Sequence, residues 1–554
     1  MSGGSGVRVS FDVAAPMRDG TNLRADIYRP DGDGPWPIIL VRTPYSKASR
    51  ETLMMVDPVQ AARDGFLVVL QDVRGRFASD GDWRPFKSEP QDGYDSVEWA
   101  AKLPGSNGRV GMMGESYSAW TQWSAAFEGP AALKAMVPSL SFADAEDGLY
   151  SRGNAPETGL RSLWTLFVGL DNIPRLGLSE EEEFEAIMSI IEEFDGLRSS
   201  GLWRVPDPEG QILQRHPIPG MPGNAPATRM TAELSGSPPA TLNISGWYDV
   251  FLQGAIDNYT GMEARGVKTR LLVGPWTHEV WADPIGEVSF GLMSFRHDVP
   301  HTERGNSEQF ARDFLREYLD PGAATPLESP PVRYFTMGVN EWRDAETWPP
   351  PGSTTVRYYL RSDGGLSIEA GDGEGQVVEF DYDPADPVPT KGGPLLLVGG
   401  IPPGPVDQTS IEARDDVVVF TSDPLQDPLE VTGHVLATIW AQSSAPSTDW
   451  VVRLCDVHPD GRSLNIIDGI RRVSSDAKDL APQEVDLWST SHVFLPGHRI
   501  RVVVTSSSFP RWERNLNTGN QQAAEMEVAH QAVHVDAAHP SYVELPVMAV
   551  NQSG

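Results

Sequence analysis

Three short segments carry the residue types for acyl transfer. Gly114-Glu115-Ser116-Tyr117 runs straight off the apolar stretch 110–113, Gly246-Trp247-Tyr248-Asp249 stands far downstream, and Gly274-Pro275-Trp276-Thr277-His278 follows it. A serine hydroxyl is a poor nucleophile until a positioned imidazole takes its proton and a carboxylate fixes that imidazole's tautomer. Ser116, Asp249 and His278 supply the three parts, in the chain order nucleophile, acid, base that α/β-hydrolases use.

Gly-x-Ser alone is a weak signal, since the chain also shows it at Ser5, Ser179, Ser307, Ser367 and Ser463. Ser116 differs in context. It ends an apolar run, Gly114 permits a sharp turn, and Ala119-Trp120-Thr121-Gln122-Trp123 opens a helix behind it, the pattern of a nucleophile elbow. That helix start places partial positive charge beside a developing oxyanion. The amide of Tyr117 is the first candidate donor, while the loop that normally gives the second reads Arg42-Thr43-Pro44-Tyr45. Pro44 has no N–H, so the Tyr45 hydroxyl is the natural substitute; the alternative is that Tyr45 only packs. Asp72 competes for the acid role, but Arg74 and Arg76 beside it favour a structural ion pair.

These groups need a scaffold that gathers them. Apolar runs at 37–41, 66–72, 110–113, 133–137, 241–245 and 269–273 read as strands covered on both faces. Helical patterns at 52–64 and 93–102 lie between the first of them, giving β-α-β alternation. A hairpin over 8–29, turning at Asp19-Gly20, leads in. Ser116, Asp249 and His278 each follow a predicted strand, so they gather on the carboxyl edge of one sheet. From 143 to 238 the strand rhythm stops. Ser179-Glu180-Glu181-Glu182 is a capping box, Phe184, Ile187, Met188, Ile191 and Phe194 follow at helical spacing, and Gly196 is a C-cap. Short alternating runs broken by Pro, Gly and Asp fill the end of the chain, at 356–360, 417–421, 435–440, 450–457 and 499–505, after the proline run 349–351. The expected fold class is α/β: an α/β-hydrolase domain (1–142 and 239–350), an inserted helical cap (143–238) and a jelly-roll β-sandwich (351–554).

Bulk properties narrow the function classes. A net charge of −33 opposes nucleic-acid binding. No apolar run approaches the ~20 residues of a membrane span, and Met1-Ser2-Gly3-Gly4-Ser5-Gly6 lacks the features of a secretory signal. Cys455 stands alone, which fits a reducing, cytoplasmic setting, and its alternating surroundings mark it as a core thiol. His297 and His301 are four apart, but Pro300 opposes the helix that spacing needs; His530 and His534 share a strand face without a carboxylate partner. No metal and no organic cofactor is expected.

Together the segments resemble the cocaine-esterase family of serine hydrolases, which includes α-amino-acid ester hydrolases and X-prolyl dipeptidyl peptidases. The resemblance extends over Met17-Arg18-Asp19-Gly20, Arg42-Thr43-Pro44-Tyr45, Asp72-Val73-Arg74-Gly75-Arg76 and the three triad segments, then Tyr382-Asp383-Pro384-Ala385-Asp386-Pro387, Leu495-Pro496-Gly497-His498-Arg499 and Asn515-Leu516-Asn517-Thr518-Gly519. It implies Ser116 as nucleophile, His278 as base, Asp249 as its orienter, and Tyr45 with the Tyr117 amide as oxyanion hole. It further implies Phe251 and Trp164 as members of an aromatic acyl pocket. Ala119 departs from the family's glycine at that position, and Glu115 from its small or apolar residue.

The reading is a cytoplasmic serine carboxylesterase acting on a small-molecule ester through an acyl-Ser116 intermediate. An X-Pro dipeptidyl peptidase or α-amino-acid ester hydrolase is the alternative, and a glycan-binding protein built on the jelly roll is a remote one. The sheet-rich C-terminal part leaves room for a homodimer.

Overall fold

The computed structural model describes residues 6–198, 229–296, 307–322, 327–371, 373–396, 400–521 and 525–549. Its first unit is a ten-stranded sheet. In chain order the elements are β1 (Val7–Pro16), β2 (Asn22–Pro30), β3 (Trp36–Thr43), α1 (Arg50–Val56), α2 (Pro58–Arg63), β4 (Leu67–Asp72), α3 (Glu89–Ala100), β5 (Ser106–Glu115), α4 (Tyr117–Phe127) and β6 (Leu133–Ser139). After α5 (Thr158–Asn172) and α6 (Glu180–Arg198) come β7 (Ala240–Tyr248), α7 (Leu252–Ala264), β8 (Thr269–Thr277), α8 (Ser307–Leu319), β9 (Val332–Thr336) and β10 (Glu341–Ala345). The strand order is β1-β2-β4-β3-β5-β6-β7-β8-β9-β10, parallel from β4 through β9 and antiparallel at both ends. β4 and β7 are buried along their whole length, which is why their sequences are apolar without alternation.

Local chemistry explains where the observed elements depart from the expected ones. The helix read over 52–64 is two helices, because Pro58 cannot continue α1. Asp57, with φ 40°, ends α1, and its side chain accepts from the Gln60 amide at 3.0 Å to start α2. The capping box at Ser179 is reciprocal: Glu182 Oε2 accepts from the Ser179 amide at 2.9 Å, and Ser179 Oγ accepts from the Glu182 amide at 3.4 Å. Gly196 does not end that helix, which runs on to Arg198. Its buried stripe is also rotated from the one expected. Ile190 is fully buried and Ile187 packs beside it against α5, while Phe184, Met188 and Ile191 are exposed. The side chain of Phe194 lies outside the described residues, as do His297, Pro300 and His301.

The C-terminal unit is antiparallel. Its strands are β11 (Ser353–Leu360), β12 (Leu366–Ser367), β13 (Val377–Tyr382), β14 (Val418–Thr421), β15 (Leu429–Ser443), β16 (Thr448–Val457), β17 (Ser463–Val473), β18 (Ala481–Phe494), β19 (Arg499–Thr505), β20 (Ala529–His534) and β21 (Tyr542–Met548). One sheet runs β12-β11-β21-β15-β20-β13 with β18 also paired to β15; the facing sheet runs β14-β19-β16-β17. A single apolar core extends from Ile39, Val68 and Val273 of the first unit to Val435, Val452 and Val502 of the sandwich. Continuity of that core fixes the sandwich against the α/β sheet. Cys455 is fully buried in a separate small cluster of the sandwich with Val388, Ile411, Val417 and Val503, and burial pushes its thiol well above the ordinary range, so it is unreactive.

Candidate active site

The site lies at the carboxyl ends of β3, β5, β7 and β8. Ser116 sits between β5 and α4 with φ 55° and ψ −121°, a strained conformation for a residue with a side chain. The turn is feasible because Gly114 has φ 147°, and any Cβ there would lie 2.6 Å from that of Ser118. Ala119, where a glycine was expected, is fully buried and fits the turn. Its amide donates to the Ser116 carbonyl at 2.9 Å. Tyr117 is the first residue of α4, so its N–H is one of those a helix leaves without an internal partner.

Asp249 follows β7 and is fully buried. Its Oδ1 accepts from the Phe251 amide at 2.7 Å, and its Oδ2 lies 2.7 Å from His278 Nδ1. The contact with Nδ1 leaves Nε2 as the working nitrogen of the imidazole. Burial disfavours the imidazolium, but the charge and hydrogen bond of Asp249 outweigh it, with Glu279 and Glu115 adding to them, and His278 is held above the ordinary histidine range. The Phe251 ring stands edge-on to the imidazole, with centroids 5.4 Å apart.

Tyr45 follows β3 on a loop pinned from two sides. Asp72 accepts from the Lys47 amide at 2.7 Å and from Lys47 Nζ at 3.3 Å, while Arg76 Nε donates to the Pro44 carbonyl at 2.8 Å. This corrects the expected pairing of Asp72 with its neighbouring arginines. Arg74 instead bridges Asp19 and Asp92, and Arg76 reaches Asp171 on α5. Asp72 keeps a structural role, with a different partner. Trp164 Nε1 donates to the Tyr45 hydroxyl at 2.9 Å, and that hydroxyl lies within hydrogen-bonding reach of the Ser116 side chain. Burial pushes the phenol well above its ordinary range, so it stays protonated and its one hydrogen is available toward Ser116.

Ser116, Tyr45, Tyr117, Trp164 and Phe251 line one narrow pocket of about 20 Å³ together with Phe86, Phe142, Leu149, Leu160 and Leu396. The last five were not legible as site residues. Leu396 comes from beyond β13, so the C-terminal unit closes part of the pocket. Glu115, whose orientation the sequence left open, is buried against Arg296 in an ion pair. The Arg296 guanidinium also lies over the rings of Trp276 and Trp281, at 5.7 and 5.3 Å from their centroids. The expectation that His530 and His534 lack carboxylate neighbours is corrected for both. His530 has Asp381 at 2.8 Å and Glu379 at 3.4 Å, and His534 clusters with Asp536 and His539.

Comparison with known proteins gives the family. The family model described as X-Pro dipeptidyl-peptidase (S15 family) matches residues 19–279, and that of the X-Pro dipeptidyl-peptidase C-terminal non-catalytic domain matches residues 327–544. The chain is 34% identical over 577 residues to the cocaine esterase of Rhodococcus sp. (strain MB1 Bresler), covering 98% of each protein. The chain belongs to the cocaine-esterase and X-Pro dipeptidyl-peptidase (S15) family. Among solved structures, this S15 family member superposes on an α-amino acid ester hydrolase with a TM-score of 0.76 at 26% identity, covering 99% of this chain and 97% of the other. An aminopeptidase from a marine sediment Thaumarchaeota archaeon gives 0.76 at 25% identity with the same coverage. The family is one of serine hydrolases, and this chain is a serine ester hydrolase with an α/β core and a β-rich C-terminal domain. No helix among its described residues is long and apolar enough to cross a membrane.

The electrostatics give a prediction for the pH profile. If neutral His278 is the base, kcat/KM rises with pH through a midpoint above 6.5. Glu115→Gln removes a negative charge that favours the imidazolium, so the acid limb moves to lower pH. The same variant strands Arg296 as an unpaired buried cation and costs about 3–5 kcal/mol of stability. Rate profiles and thermal melts of both proteins check this, and an unmoved acid limb refutes the coupling.

Proposed function

We propose a serine carboxylesterase that hydrolyses small acyl esters. Ser116 attacks the carbonyl, His278 takes its proton with Asp249 holding the ring, and the Tyr45 hydroxyl with the Tyr117 amide receives the oxyanion. His278 then protonates the leaving alcohol, and the acyl-Ser116 ester is hydrolysed by water in the reverse sense. The observation that carries the choice of substrate is the pocket beside Ser116. Every described residue lining it apart from Ser116 is aromatic or aliphatic, which suits an uncharged acyl group and offers no anion to a substrate ammonium. Trp164 and Leu160 reach it from α5, supporting 143–238 as a cap over a hydrolase unit of 1–142 and 239–350, with 351–554 as the sandwich.

A peptidase or amino-ester hydrolase is the second reading. It is favoured by the family models and by Glu51, an exposed carboxylate in the first turn of α1 within electrostatic reach of His278, Glu115 and Glu279. Parallel assays of p-nitrophenyl butyrate, an aminoacyl ester and an X-Pro p-nitroanilide separate the two. We expect kcat/KM for the butyrate to exceed the others by about 10²-fold or more, the ~3 kcal/mol cost of burying an unpaired polar group. Preference for the anilide overturns the esterase reading. Cytoplasmic placement and a homodimer belong to the same proposal, the first supported by the single, buried cysteine; cell fractionation and sedimentation test them.

A further inference from the structure

A second cleft, about 200 Å³, opens between the two units, walled by Tyr248, Phe290 and Met337 on one side and by sandwich residues on the other. Its polar wall gathers three histidines around one carboxylate. Asp456 lies near the end of β16, His458 just after it, and His498 just before β19. β16 and β19 pair with Val457 opposite Arg499, so the register brings His458 and His498 to the same sheet end, ring centroids 4.4 Å apart. One donor atom from each of Asp456, His458 and His498 lies within 4.8 Å of the other two. His492, on β18 of the facing sheet, places Nε2 3.1 Å from Asp456 Oδ2.

We propose that Asp456, His458 and His498 bind a divalent transition-metal ion of the zinc class, with His492 orienting the Asp456 carboxylate. The distances favour coordination over a simple hydrogen-bonded cluster at one decisive contact. His458 Nε2 lies 3.7 Å from Asp456 Oδ2, too far for a hydrogen bond. Tetrahedral ligands at ~2.0–2.1 Å from a zinc ion stand roughly 3.3 Å apart, close to that spacing. His498 Nδ1, 2.8 Å from Oδ1, exchanges its shared proton for the ion with a shift of a few tenths of an ångström. Imidazole nitrogen with a single carboxylate suits zinc, cobalt or nickel better than the oxygen-seeking calcium or magnesium. Three protein ligands leave a fourth position for water from the cleft; all three come from one end of a single sheet, at the junction with the strand that precedes Asp249, and His492 reaches the carboxylate from the facing sheet.

The test uses the full chain stripped with EDTA and titrated with ZnCl2 by calorimetry, with bound metal measured after dialysis. Wild type is expected to hold one zinc at these residues and to melt at higher temperature with zinc than without. His458→Asn and His498→Gln should each weaken that binding at least roughly tenfold while retaining ester hydrolysis as evidence of folding. His534→Asn/His539→Gln, directed at the other His/Asp cluster at His534, Asp536 and His539, should leave it unchanged. The proposal fails if stripped wild type takes up no zinc, if either His458→Asn or His498→Gln keeps wild-type affinity, or if binding is lost only in the His534/His539 variant.

Discussion

Ser116→Ala is expected to lower kcat for a short-chain p-nitrophenyl ester by roughly 10⁶-fold, as loss of the nucleophile does in serine hydrolases whose groups act as a unit. The hydroxyl is the one atom removed. Alanine keeps the Cβ, so the positive-φ turn between β5 and α4 carries the same strain as before. The substrate pocket is built mainly from other side chains, and KM should therefore change little while kcat collapses. Labelling of the wild-type chain by a fluorophosphonate, absent in the variant, supplies an independent readout. Retention of kcat within tenfold in a folded Ser116→Ala chain would remove Ser116 from the chemistry, whereas failure of the fluorophosphonate to label wild type, with glycan binding, would support the glycan-binding alternative.

Tyr45→Phe should lose about 2.7–4 kcal/mol of transition-state stabilisation, a fall of 10²–10³ in kcat. The hydroxyl accepts from Trp164 and is held protonated by burial, so it is preorganised to donate where negative charge develops. Its worth is realised only when the carbonyl oxygen becomes an oxyanion. The expected signature is thus a lowered kcat at nearly constant KM. Phenylalanine also leaves Trp164 Nε1 without its acceptor, a stability cost of about 1–3 kcal/mol visible in a melt. Trp164→Phe separates the two effects. It keeps the Tyr45 hydroxyl but loosens its orientation, so its kcat should fall less than that of Tyr45→Phe. An unchanged kcat in Tyr45→Phe would assign the oxyanion to backbone donors alone.

Much of the fold was legible because its signals are local. Unbroken apolar runs marked six of the seven strands of the parallel part of the sheet, β9 being missed, and Asp19-Gly20 marked the hairpin between β1 and β2. The capping box at Ser179 stood in four consecutive residues. The split between α1 and α2 was also written locally, in Asp57-Pro58, and a stricter use of the proline rule finds it. The stripe of α6 was not legible in the same way. Phe184, Met188 and Ile191 are as apolar and as regularly spaced as the residues that are buried, and only the neighbouring helix decides which face is covered.

The sequence by itself determined the scaffold, the positions of Ser116, Asp249 and His278 at strand ends, and the placement of Tyr45 after Pro44 in the loop that follows β3. Each depends on a few adjacent residues acting through steric and hydrogen-bonding rules of short range. Tertiary structure alone decided the partners: Lys47 for Asp72, Arg296 for Glu115, Leu396 for the pocket, and three histidines for Asp456. With 44 basic and 77 acidic residues, sequence permits far more ion pairs than the fold can form. Which of them exist is set by strand order and register, which bring together groups as far apart as the 181 positions between Glu115 and Arg296 and remove both from water.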